Sequence, residues 1–473
     1  MRSSEDFRAD RGPVMNLVRR VALPVAIGVA SFLVLAVRVR TTPFHIDESG
    51  WVAAGGYYAA LVAHWDLNAT SWEGNHLSRW GEFNPPLGKL LIGLSLRAGA
   101  APQWSGLYDS TLSEAENAAA GHIPPQRALI DARLGMACFG GLCCALLFML
   151  GRSLGGPWCG ALAVVGLLLN RTFSTLAAQA MVDVPLAAFL LATCLAARYL
   201  LEANENRSMR AAWCCGVFAG LAGLVKINGL LMGVGLVLTV LLFRLPRFGV
   251  RRALTLGSAC LVTAIAVEYL LTPNYWPQLR EIRPAVVRAE VLALRSNGFP
   301  AAAAAAGGEG RFDAFKVTYP QLANLTRPLR LPFLFVRWKL VLDWIALANP
   351  DWTLKQPRPV VQASQLFIQH ASFPGEALLV VIGLILLVRQ IVSAERSRSS
   401  DAAVVVVAFF VVNYSLILAF QRLAWDRYYL PSVIGYQIPA AWAAIQLAER
   451  AKRGLAGSNA GGEGHTVGRE RQR

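Results

Sequence analysis

Residues 21–50 read VALPVAIGVASFLVLAVRVRTTPFHIDESG. An apolar run from Val21 to Val37 approaches the roughly 20 residues needed to cross a bilayer, and an acidic pair, Asp47 and Glu48, follows about three helical turns later. Arg2, Arg8, Arg11, Arg19 and Arg20 precede the run, so the positive-inside rule places the N-terminus in the cytoplasm and delivers the acidic pair to the outer face. The long basic arm and the lack of a small-residue cleavage site make this run a first anchor rather than a cleaved signal. Carboxylates held at a membrane surface are better suited to chemistry than to packing.

The whole chain carries the same signature. Of its 473 residues, 55% are hydrophobic and 16% charged, too apolar for a soluble protein of this size. The net charge of +16 comes from short basic runs between apolar segments, which act as topology signals and exclude a nucleic-acid-binding face. All eight cysteines fall in or beside apolar segments, as expected of small membrane-buried side chains rather than a disulfide framework. The Ala- and Arg-rich composition is associated with GC-rich bacterial genomes, so a bacterial inner (plasma) membrane is the expected location.

Hydropathy and charge predict spans near 21–38, 127–150, 157–177, 183–201, 211–224, 227–243, 253–271, 374–391, 402–420 and 430–448. This is an all-α polytopic membrane protein of about ten transmembrane helices. The pair 211–224 and 227–243 reads alternatively as one long span. Arg207 and Arg210 before it, and Arg244, Arg247, Arg251 and Arg252 after it, favour two helices with Lys226 outside. The organisation is a cytoplasmic arm (1–20), a membrane core (21–450) with external loops at about 39–126 and 272–372, and a basic cytoplasmic tail (451–473). In the aromatic-rich first loop, Pro85-Pro86 opens a short helix, 87–96, whose Lys89 and Arg97 suit a position in the membrane interface.

This topology gathers Asp47, Glu48, Arg133, Asp183, Lys226, Asp426 and Arg427 near one face. A charge at the centre of a span costs about 2.5–3.5 kcal/mol, so ionisable groups at a common depth line a wet cavity or pair with one another. Taken singly, Arg133 and Arg427 also read as snorkelling side chains, Lys226 as a helix break and Asp183 as a helix cap. Together, acids facing cations can hold an anionic lipid head group and a neutral nucleophile. Such a site suits sugar transfer from a lipid phosphate: a carboxylate removes the acceptor proton while Lys and Arg neutralise the departing phosphate. His45, His64, His76 and His122 lack a zinc-type spacing. No cofactor is required, and a divalent metal is left open. A transporter or flippase for an anionic lipid is the competing reading, with a structural scaffold third.

Five stretches resemble the GT-C glycosyltransferases, specifically the superfamily of protein O-mannosyltransferases and aminoarabinose transferases. Asp47-Glu48 is similar to the acidic motif of the first external loop. Asn84-Pro85-Pro86-Leu87-Gly88-Lys89-Leu90 resembles His-Pro-Pro-Leu-Gly-Lys-Leu with Asn for His, and Val225-Lys226-Ile227-Asn228-Gly229 resembles Val-Lys-Trp-Asn-Gly with Ile for Trp. Met181–Leu186 and Arg427–Pro431 look like segments shared across both branches. The resemblance implies a GT-C-type bundle with juxtamembrane helices in the first external loop. It also implies a polyprenyl-phosphate sugar, most simply mannose, as donor, and a protein, glycan or glycolipid as acceptor. Asp47 is the implied catalytic base and Glu48 its acceptor-positioning partner, with Arg133, Lys226 and Arg427 facing the donor phosphate. Asp183, Lys89 and Asp426 are further site candidates.

Overall fold

The apolar run after residue 21 forms the greater part of α1 (Pro13–Arg38). The computed structural model describes residues 13–66, 71–72, 85–101, 104–109, 111–272, 371–373, 375–393, 398–420 and 426–463. In order, the remaining helices are α2 (Ile46–Ala63), α3 (Pro86–Ala98), α4 (Glu114–Ala119), α5 (Gln126–Leu169), α6 (Arg171–Leu176) and α7 (Asp183–Glu202). They continue with α8 (Glu205–Val225), α9 (Ile227–Phe243), α10 (Leu245–Phe248), α11 (Val250–Leu270), α12 (Glu376–Val392), α13 (Arg398–Phe420) and α14 (Leu430–Glu463). A 3₁₀ turn, Asp426–Tyr429, leads into α14. No strand occurs among the described residues.

Six of the described helices are long and apolar enough to cross a membrane: α1, α5, α7, α8, α11 and α13. That is fewer than the about ten expected, because α9 and α12 have only 17 residues each, two expected spans share α5, and α14, which holds the expected span 430–448, is not among the six. α5 is not straight. Gly156 takes φ 78° and the helix reverses there, bringing the backbone of Gly151 against Gly160. Nine residues of continuous helix would hold those two about 13 Å apart; only a hairpin lets them touch. Its second arm ends at Leu169, short of the expected 177, where the buried Asn170 side chain caps α6 by accepting from Phe173 N at 3.1 Å. The predicted break at Lys226 is present: the residue is extended (φ −154°, ψ 133°) between α8 and α9. Gly229 lies against Ala222, and Gly233 against Ala219, so the two helices run antiparallel. The stretches 273–370 and 464–473, most of the second external loop and the end of the tail, lie outside the described residues.

Residues 39–126 differ in two respects from the sequence expectation, a helix at 46–63 and the burial of Lys89. Residues 46–63 are helix rather than loop, capped by His45 and buried along most of their length, including Trp51, Tyr57 and Tyr58. Helix α3 buries one face, Lys89 included, against protein. Local sequence makes it look amphipathic, but its Gly93 meets Gly55 of α2 so closely that a Cβ there would stand 2.2 Å from the Gly55 carbonyl oxygen. Gly88 packs on Val182 and the Val225 carbonyl. Lys89 is therefore fully buried while Arg97 stays exposed.

The Gly55–Gly93 crossing makes a direct prediction. Gly93→Ala overpacks the α2–α3 contact and costs about 1–3 kcal/mol, lowering the thermal midpoint in detergent. Gly56→Ala, whose Cβ meets nothing within 4 Å, leaves the midpoint unchanged or raised.

Candidate active site

At the start of α2 the sequence His-Ile-Asp-Glu folds as a capping box. The His45 ring accepts from Asp47 N at 3.2 Å, and the Glu48 carboxylate accepts from His45 N at 2.9 Å. Two orphan amides at the helix N-terminus are satisfied in this way. The acidic pair is thus fixed in angle, and its two carboxylates go different ways.

Glu48 points into the bundle. Its side chain is 0% exposed and meets Arg133 of α5 in a two-toothed pair, Nε to Oε1 at 2.7 Å and Nη2 to Oε2 at 2.6 Å. Oε1 also accepts from Ala180 N at 2.7 Å. Arg133 donates its remaining hydrogens to the carbonyls of Val39 and Thr42 at 2.9 and 2.8 Å and of Pro43 at 3.2 Å. All five guanidinium N–H groups and all four carboxylate lone-pair positions are occupied. Gln179 adds a bond from Nε2 to the Pro43 carbonyl at 3.3 Å.

Asp47 points to the other side and keeps 18% exposure. Arg427, from the 3₁₀ turn before α14, donates to its Oδ2, and His45 Nδ1 stands 3.9 Å from the same oxygen. Burial, and next the Arg427 guanidinium, hold the His45 imidazole below its ordinary range, against a smaller pull from Glu48 and Asp183.

Asp183 opens α7 without capping it; instead it accepts from Lys226 Nζ at 2.7 Å, with both side chains buried. Lys89, a residue away from Gly88 and its contacts with Val182 and Val225, sits with Nζ 4.6 Å from the centre of the Tyr58 ring. No hydrogen-bond acceptor among the described residues reaches that amine. Burial pushes it well below the ordinary lysine range. Asp426 begins the 3₁₀ turn, and its side chain lies outside the described residues.

The candidates from sequence therefore converge on one end of the bundle. Arg133 does so with every donor engaged in the protein, unlike the phosphate-facing cation expected of it, because it must hold the chain between α1 and α2. The opposite end has its own pairs, Arg198–Glu202 at 2.6 Å and Arg244–Asp401 at 3.0 Å. Sequence reasoning passed over His45 as a cap, although His-x-x-Glu has capping-box spacing. The backbone groups of Val39, Thr42, Pro43 and Ala180 carry no signal in side-chain identity. Among the described residues no group of three or more His, Cys, Asp or Glu side chains is placed to hold a metal ion.

An all-helical bundle with helices of membrane-spanning length and with acids and cations gathered at one end is what the GT-C resemblance implies. Residues 73–275 match the model of the family described as dolichyl-phosphate-mannose-protein mannosyltransferase. No curated protein matches the chain by sequence. Among solved structures, the Archaeoglobus fulgidus oligosaccharyltransferase tethered with an acceptor peptide is similar at 13% identity and a TM-score of 0.50, over 90% of this chain and 50% of that one. ArnT from Cupriavidus metallidurans bound to undecaprenyl phosphate is similar at 16% identity and a TM-score of 0.49, over 90% and 60%. The chain thus spans about 60% of the length of ArnT and half that of the oligosaccharyltransferase.

The Glu48–Arg133 pair makes the second prediction. Arg133→Met strands a buried carboxylate and destabilises by about 3–5 kcal/mol. Adding Glu48→Gln recovers part of that loss, measured by thermal unfolding in a double-mutant cycle.

Proposed function

We propose that the protein is an inverting glycosyltransferase that moves a sugar, mannose in the first instance, from a polyprenyl-phosphate carrier to a hydroxyl acceptor. The observation that carries this reading is the division among the acids: Glu48 and Asp183 are sealed in ion pairs, while Asp47 stays accessible beside Arg427. The match of residues 73–275 to the mannosyltransferase family model supports the donor class. The acceptor is a Ser/Thr side chain of an exported protein, or a glycan or glycolipid hydroxyl. The site faces outward from a bacterial plasma membrane, with the arm (1–20) and tail (451–473) in the cytoplasm and the catalytic core spanning 21–450.

In this mechanism Asp47 accepts the proton of the acceptor hydroxyl, and the hydroxyl oxygen attacks the anomeric carbon opposite the phosphate. The bond from that carbon to the phosphate oxygen breaks, its electron pair leaves with the phosphate, and one displacement inverts the centre. Lys89, which has no other hydrogen-bond partner among the described residues, neutralises the departing phosphate, aided by Lys226 and Arg427. Desolvation favours neutral Lys89 at rest, and the arriving phosphate stabilises its charged form. Glu48 and Arg133 act as positioning residues that fix Asp47, and Asp426 opens the turn that carries Arg427.

The test is sugar transfer or hydrolysis from labelled polyprenyl-phosphate mannose by the purified protein in lipid. Asp47→Asn lowers the rate by about 10²–10⁴, and Lys89→Met raises KM for the donor. Added chelator leaves the wild-type rate unchanged. A folded Asp47→Asn protein that transfers at the wild-type rate removes the base assignment, and lipid flipping in proteoliposomes without covalent transfer favours a transporter. Unchanged protein O-glycosylation in a deletion strain rules against the Ser/Thr acceptor.

A further inference from the structure

The transfer reading leaves Asp47 protonated after each turnover, and the base must be restored before the next acceptor binds. The groups around it offer few routes for that proton. Arg427 is already fully protonated, the acceptor positions of Glu48 are filled, and Asp183 is held by Lys226. His45 is different. Its Nδ1 accepts the Asp47 amide hydrogen at 3.2 Å, so that nitrogen carries a lone pair and the ring proton is on Nε2. The same Nδ1 stands 3.9 Å from Asp47 Oδ2, and the ring is 40% exposed. The charged groups that face it are Asp47 and Glu48 from α2, Arg427 from the turn before α14 and Asp183 from α7. The imidazole therefore bridges a half-buried carboxylate and solvent while remaining a neutral base.

We propose that His45 is a proton-relay residue that clears the acceptor's proton from Asp47 to solvent between turnovers. This inference rests on the transfer reading above. In the relay the Asp47 O–H bond breaks and its proton bonds to His45 Nδ1, while the Nε2–H bond breaks and that proton passes to water. The ring returns to its starting tautomer by exchange with solvent, and no oxidant or further reactant enters. The Nδ1 lone pair leaves the Asp47 amide for the duration of the step, so the helix cap opens and closes once per cycle.

His45→Asn separates the two roles of the residue, because Asn is a strong N-cap and cannot carry a proton at neutral pH. The expected result is an unchanged thermal midpoint, a kcat lowered by about 10-fold or more with KM little changed, and recovery of rate on adding imidazole. The wild-type kcat falls as pH drops through the lowered His45 titration, and that limb is absent in the variant. A wild-type kcat in His45→Asn, or a loss that imidazole does not restore, overturns the relay. A second measurement needs no donor: nitrogen NMR of His45 in the full-length protein. It should show the Nε2–H tautomer at neutral pH and a titration midpoint that falls further in Asp47→Asn, where Arg427 is no longer balanced. An Nδ1–H tautomer, or a midpoint indifferent to Asp47→Asn, overturns the relay whatever the enzyme transfers. A wild-type protein that transfers no sugar overturns the glycosyltransferase reading instead.

Discussion

The bidentate contact between Glu48 and Arg133 is the constraint on which the rest of the site depends. Two charges taken out of water are tolerated only when the geometry is good and every remaining donor and acceptor is filled. Here that condition is met by recruiting the backbone: three carbonyls of the α1–α2 connection and the amide of Ala180 complete the network. The energetic demand of one buried pair thereby fixes the exit of α1, the entry of α2, the first turns of α5 and the segment leading to α7. The anion is closed off as thoroughly as the cation, so the pair has no capacity left for a ligand. Its contribution is placement.

A bilayer explains why such groups collect at one end. Inside the hydrocarbon region a lone charge is costly, and a short or broken helix is the cheapest way to bring one to a wet boundary. Lys226 sits at the break between α8 and α9, Asp183 on the first turn of α7, and Arg427 on a 3₁₀ turn. Each is a helix end on the same side as the acidic pair. The opposite end has ion pairs too, yet these join neighbouring helices or turns of one helix, as Arg198–Glu202 does. They suit a topology anchor and leave no accessible carboxylate beside an unpaired amine among the described residues.

Much of this was legible in the sequence because charges are conspicuous in an apolar chain. Asp47, Asp183, Lys226 and Arg427 stood out for that reason, and the helix break at Lys226 followed from basic runs on both sides. What the sequence could not disclose was partnership. Glu48 and Arg133 are 85 residues apart, and nothing local indicates that they meet. Lys89 looked like an interfacial lysine because its helix is amphipathic, whereas the Gly55–Gly93 approach decides its burial, and that approach belongs to two helices at once. The solvation of a side chain is a tertiary property, so local pattern picked out residues that the fold brings together and misjudged the surroundings of two of them, Arg133 and Lys89.

The adjacency of the two acids has its own logic. Successive residues on a helix diverge by about 100°, so Asp47 and Glu48 cannot share an environment once α2 is packed. One must turn toward the core and the other away from it, and the observed exposures, 0% for Glu48 and 18% for Asp47, are that divergence. Acids spaced four apart would lie on one face and repel each other. Acids side by side let the first residue remain accessible while the second anchors it, with the His45 cap setting the rotation of both. The sealed carboxylate is therefore what allows the open one to be held still at the edge of a membrane.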